Sequence, residues 1–88
     1  MERFKAAAIR YKNKDGLISE RHGKRHHEII RAIHNDGEIE YYKQWHEDGF
    51  IFGESWTARF INREEATKIA NGMGIPMIGC VLTSEDLW

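Results

Sequence analysis

The chain has one cysteine and one proline in 88 residues. A lone Cys80 cannot close an internal disulfide or supply a CxxC zinc pair, which makes a reducing compartment the default. Long apolar runs are also missing. The early run from Phe4 to Ile9 is interrupted by Lys5 and is too short for a secretory leader. Nothing approaches the ~20 apolar residues that a membrane span needs. Neither charge dominates: 13 Lys and Arg stand against 14 Asp and Glu, for a net charge of −1 and a pI near 6.5. Duplex-DNA binders normally show a basic excess, so that class is excluded. Catalytic signatures are absent too, with no HExxH, no GxSxG around Ser84 and no glycine-rich phosphate loop. The expectation is one cytoplasmic domain, residues 1–88, without membrane partner, cofactor, metal or catalytic residues.

Several residue types that invite chemistry have duller explanations. His22 and His26 stand at i, i+4, a spacing that chelates zinc on a helix, but no second ligand pair is suitably placed. His26 also falls on an apolar stripe, where a hydrogen-bonded core histidine is the commoner outcome. Glu64-Glu65 and Glu85-Asp86 are neighbours in sequence and do not face each other on a helix. Cys80 lies in an apolar run with no adjacent cation, which reads as an inert buried thiol.

What the sequence does hold is aromatic surface: three Trp, three Tyr and four Phe. A core this small is marginal by surface-to-volume scaling and hides few large rings. Some are expected at subunit contacts or in a ligand pocket, and self-association is one way to stabilise so small a domain.

Taken in order, residues 3–11 and 16–20 read as a hairpin turning at Asn13-Lys14-Asp15-Gly16. From Arg21 to Asp36 the pattern is helical, with His26, Ile29, Ile30 and Ile33 on one stripe and Gly37 as a left-handed stop. That helix lacks a Ser or Asp cap and begins instead with Gly23-Lys24-Arg25, two cations that oppose its dipole. Residues 38–48 show no clean period and read as a loop or short irregular strand. Phe50–Phe52 and Trp56–Phe60 form a second hairpin, turning at Gly53-Glu54-Ser55. A second helix follows from Arg63 to Asn71, ended by Gly72. Residues 77–82 suggest a last buried strand or an intersubunit segment. Thr83 to Trp88 reads as a capped helical turn whose tryptophan docks on the body. The layout, ββα then ββα, predicts an α+β fold with two helices on a small, mainly antiparallel sheet.

The stretch Gly49 to Ala66 concentrates the functional information. Asn62 can cap the second helix with Glu65 as its capping-box partner, while Ile61 and Ala66 occupy staple positions. A helix start is a ready anion site, because its first N–H groups lack partners and its dipole favours negative charge. Arg59 and Arg63 flank this one, with Phe50, Phe52, Trp56 and Phe60 just upstream. Donors, guanidinium groups and ring faces together suit a ligand with phosphates and a flat base. The same groups suit a single-stranded nucleic acid. Exposed Tyr and Trp leave room for a protein–protein inhibitor.

Gly23-Lys24-Arg25-His26, Gly49-Phe50, Arg59-Phe60-Ile61-Asn62-Arg63-Glu64-Glu65-Ala66 and Ser84-Glu85-Asp86-Leu87-Trp88, in that order, resemble a family of small phage proteins. These are the first-described Thoeris anti-defence proteins, nucleotide sponges. The resemblance implies non-catalytic sequestration of a cyclic ADP-ribose isomer made by bacterial TIR enzymes in the infected host's cytoplasm. It also implies homo-oligomers, dimers up to a hexamer, with ligand held between subunits. On this likeness Arg25 contacts the pyrophosphate and Asn62 with Arg63 forms the helix-start contact. Phe50 or Phe52 supplies the stacking face, and His26 and Arg59 complete the set. A separate site for cyclic oligonucleotides of the CBASS defence pathway would involve Lys24, Thr83 and Ser84.

Overall fold

The computed structural model describes residues 2–88. Its centre is a four-stranded antiparallel sheet in the order β2-β1-β3-β4, built from β1 (Arg3–Lys12), β2 (Ile18–Gly23), β3 (His46–Gly53) and β4 (Arg59–Asn62). Helix α1 (His26–Asn35) follows β2, and the short α2 (Ile39–Gln44) leads into β3. Helix α3 (Arg63–Met73) follows β4, and a 3-10 turn (Ser84–Asp86) closes the chain. This is the expected small α+β architecture with two main helices.

Strand alternation places the core. Ala7, Ile9 and Tyr11 of β1 point to the same side as Phe50 and Phe52 of β3, since Ala7 pairs with Phe50 and Phe4 with Phe52. Under α1 this face packs Ala7, Ile9 and Tyr11 against Ile29 and Ile33. Under α3 it packs Phe50, Phe52 and Ile61 against Ala66, Ala70 and Leu82. Burial of the Ile, Leu and Phe side chains contributes roughly 1.5–3 kcal/mol each, and of the alanines less. Trp88 packs against both clusters, so the terminal ring is docked as expected. On the opposite face, where Ala8 and Ile51 are also buried, the Arg10 guanidinium lies 4.2 Å above the Phe60 ring.

Five boundaries differ from the sequence reading. The first helix starts at His26 rather than Arg21, because Arg21 and His22 pair with Ile9 and Ala8 in the β1–β2 ladder. His22 therefore sits on a strand and shares no helical chelate with His26. Residues 38–48 are neither a loop nor one irregular strand. Glu38 accepts the Tyr11 hydroxyl at 2.8 Å, Ile39 and Tyr42 pack on the α1 cluster, and α2 forms there before β3 begins. Strand β4 starts at Arg59, leaving Trp56 in the turn and 88% exposed. Helix α3 runs two residues beyond Asn71 and stops at Gly74 (φ 74) rather than Gly72. Residues 77–82 form no strand. Only Leu82 of that run is buried, and Cys80 is exposed rather than inside. The segment is held instead by single bonds: Leu82 N–H to Thr67 Oγ1 at 2.9 Å and Ile78 N–H to Asp86 Oδ1 at 3.2 Å.

Candidate functional site

Helix α3 begins at the expected Asn62 cap, but the Glu65 carboxylate faces Arg59 instead of closing the capping box. Asn62 is extended, and its Oδ1 accepts the Glu65 N–H at 2.8 Å. Both staple residues, Ile61 and Ala66, are buried. Close approach at Gly49 brings this helix start over the sheet. A Cβ on Gly49 would stand 2.0 Å from the Ile61 carbonyl oxygen and 2.7 Å from the Phe60 ring, so no side chain fits between β3 and β4 there.

Arg63, the first residue of α3, reaches back to α1. Its Nη2 donates to His26 Nδ1 at 3.2 Å and lies 4.0 Å from Asp48 Oδ2. His26 in turn donates from Nε2 to the Gly49 carbonyl at 2.8 Å. That bond places the ring proton on Nε2 and leaves Nδ1 as the acceptor for Arg63. Burial lowers the His26 pKa from its ordinary value, and the Arg63 charge acts in the same direction, against the Gly49 bond and the Asp48 charge. The imidazole is therefore neutral at pH 7, with the Phe50 ring edge-on at 5.1 Å.

Two polar atoms in this cluster are buried without partners, Arg63 Nε and Asp48 Oδ1. One is a donor and the other an acceptor. Orphans of this kind are uncommon and mark places where water, an ion or a ligand belongs. Tyr42 borders the same cluster. Burial raises its pKa first, the Asp48 charge adds to the rise, and the Arg63 charge opposes it. Its ring stacks on His46 at 4.0 Å.

The structure joins His26 and Arg63 and gives most of the other expected residues different work. The Arg25 guanidinium holds the main-chain oxygen of Trp88. Phe50 and Phe52 are 0% and 5% exposed, so both rings belong to the core and neither offers a stacking face in this chain. Arg59 is exposed, 3.8 Å from Glu2 and 3.9 Å from Glu65. Asn62 spends its oxygen on the cap. Of the second expected site, Lys24 is exposed, and Thr83 and Asp86 form a capping box at the 3-10 turn. Ser84 is buried, and its Oγ accepts the His26 N–H at 3.3 Å. Ser84 thus supplies the helix cap that the sequence before α1 lacks.

Sequence reasoning missed Asp48 and Tyr42. Extending the Phe52–Phe50 alternation back by two would have put Asp48 on the core face. It also missed two adjoining clefts at the far end of the sheet. Arg3, Lys5, Glu54, Ser55 and Trp56 line one of about 460 Å³. Arg3, Phe4, Lys5 and Trp88 line the other, of about 400 Å³.

Compared with known families, residues 3–88 match the family model of the phage T4 y16D protein. The chain belongs to that phage protein family. The matched span covers every element of this family member, from β1 to the docked Trp88. No curated protein and no solved structure matches it. Among the described residues no helix is long and apolar enough to cross a membrane.

Proposed function

We propose that this phage protein is a non-catalytic sponge, binding and sequestering a cyclic ADP-ribose isomer made by bacterial TIR enzymes in the host cytoplasm. One observation carries the reading: the unpartnered Arg63 Nε beside the unpartnered Asp48 Oδ1 at a capped helix start. Both atoms are shielded from solvent in the single chain, so binding opens the pair: a pyrophosphate oxygen then accepts from the guanidinium, and a ribose hydroxyl donates to the carboxylate. His26, held neutral, adds no charge of its own. Tyr42, stacked on His46 and within reach of the Asp48 and Arg63 charges, replaces Phe50 and Phe52 as the flat surface. The likeness of the Gly23–His26, Arg59–Ala66 and Ser84–Trp88 motifs to anti-defence sponges supports the same ligand, held between subunits of a homo-oligomer. The cyclic-oligonucleotide role rests on that likeness alone.

Sequestration needs tight binding and no bond breaking. A nanomolar complex corresponds to about −12 kcal/mol. Titration calorimetry with the cyclic ADP-ribose isomer tests the proposal. Heat of binding, with ligand recovered unchanged after thermal denaturation, is the expected result. No heat and no rise in melting temperature would remove it.

A further inference from the structure

The two clefts at the Arg3 end of the sheet lie on residues that the proposed sponge site does not use. They adjoin, because Arg3 and Lys5 line both. Trp56 stands in one wall and Trp88 in the other. Cations therefore sit in the middle, with an indole on either side.

Three features make this end available to a ligand. Arg3 and Lys5 have no hydrogen-bonding or ion-pair partner among the described residues, whereas Arg59 nearby is paired with Glu2 and Glu65. Trp56 is 88% exposed, a large ring left in water by a turn that otherwise satisfies itself through Thr57 N–H to Glu54 O at 3.1 Å. The β1 edge is also unpaired by β2 here. The β1–β2 ladder begins at Ala7 and Gly23, so Arg3 to Ala6 pair only with β3. A register shift between Phe4 and Ala6 leaves Lys5 outside the ladder. Bulges of this kind re-aim a side chain.

We infer that these clefts form a binding site for one step of single-stranded nucleic acid. One base stacks on Trp56, the intervening phosphodiester rests on Arg3 and Lys5, and the next base lies against Trp88. Stacking tolerates any base, because each has a π face, so sequence preference is weak. Duplex is excluded, since its bases are not free to stack and the chain carries no basic field to track two backbones. Glu54, the one carboxylate on the walls, stands against two cations. Binding is accordingly modest, and its single phosphate contact gives a log–log salt slope of only about −0.7.

Fluorescence polarisation with labelled dT8 at low salt, competed by thymidylyl-thymidine, tests this. Trp56→Ala, at an exposed turn position, should weaken binding about tenfold. A double Arg3→Ala/Lys5→Ala variant should weaken it and flatten the log–log salt slope by about 0.7 for the lost phosphate contact. Trp45→Ala, an exposed ring outside both clefts, should change nothing. Thymidylyl-thymidine should compete better than thymidine monophosphate, and inorganic phosphate hardly at all. Equal affinity of the Trp56→Ala variant and the native protein would overturn the inference, as would equal competition by mono- and dinucleotide. Arg63→Ala should leave dT8 binding intact. Failure here is thus separate from failure of the cyclic ADP-ribose titration.

Discussion

Replacing Ser84 by alanine removes a cap that crosses 58 residues of sequence. In the native chain the Ser84 hydroxyl accepts the first N–H of α1 at 3.3 Å, from a side chain that is 5% exposed. Alanine leaves that N–H without its partner, while the 3-10 turn keeps its own Thr83–Asp86 box. Loss of a cap costs about 0.5–2 kcal/mol. The long bond argues for about 1 kcal/mol, since burial keeps water from replacing the hydroxyl but the contact itself is weak. For a domain of this size that lowers the melting temperature by about 4–8 °C. Thermal denaturation followed by circular dichroism gives the shift, and hydrogen exchange locates it. Amides of the first turn of α1 should exchange faster in Ser84→Ala, whereas Thr83→Ala should act mainly on the 3-10 turn. A Ser84→Ala protein as stable as the native one, with unchanged exchange at His26, would refute the docking of the C-terminal turn on α1.

Gly49→Ala should be far more damaging. The new methyl collides with a carbonyl oxygen of the paired strand, and a cost of about 3 kcal/mol or more is expected by urea unfolding. His26 gives a pH dependence of definite sign. Its folded-state pKa lies below the unfolded value, so the unfolded chain takes up the proton first. This contribution is complete above the unfolded pKa of about 6.5 and is lost as pH falls below it, until the folded pKa is passed. Denaturant midpoints at pH 7.5 and pH 5.5 should differ in that direction, and by less in a His26→Gln variant. Arg59→Ala, which loses only exposed pairs, should change stability by about 0.5 kcal/mol or less.

Much of the fold was legible because local signals agreed with tertiary packing. The Asn62 cap, the Ile61–Ala66 staple and the stripe of Ile29 and Ile33 each state their role within a few residues. The misread elements are those whose role is set from a distance. Arg21 and His22 continue β2 only because Ile9 and Ala8 lie opposite, and Arg21 then reaches Asp36 at 2.6 Å. Helix α2 is too short to display a period and is fixed by Glu38 meeting Tyr11. The 77–82 run is apolar yet mostly exposed, held as a loop by bonds to Thr67 of α3 and Asp86 of the 3-10 turn. In the candidate site, Asn62 and Arg63 were visible from the helix-start pattern. The His26–Arg63 bond joins residues 37 apart, and no spacing rule reaches it. Phe50 and Phe52 looked available because alternation tells which rings share a face but not which face α3 covers.

Native mass spectrometry of protein purified from cells producing the cyclic ADP-ribose isomer decides whether this protein is a sponge. An intact cyclic ADP-ribose isomer should appear in the spectrum, bound in defined proportion to the subunits and lost from the Arg63→Ala protein. Subunits carrying no added mass, or carrying the mass of a ring-opened product, would contradict sequestration.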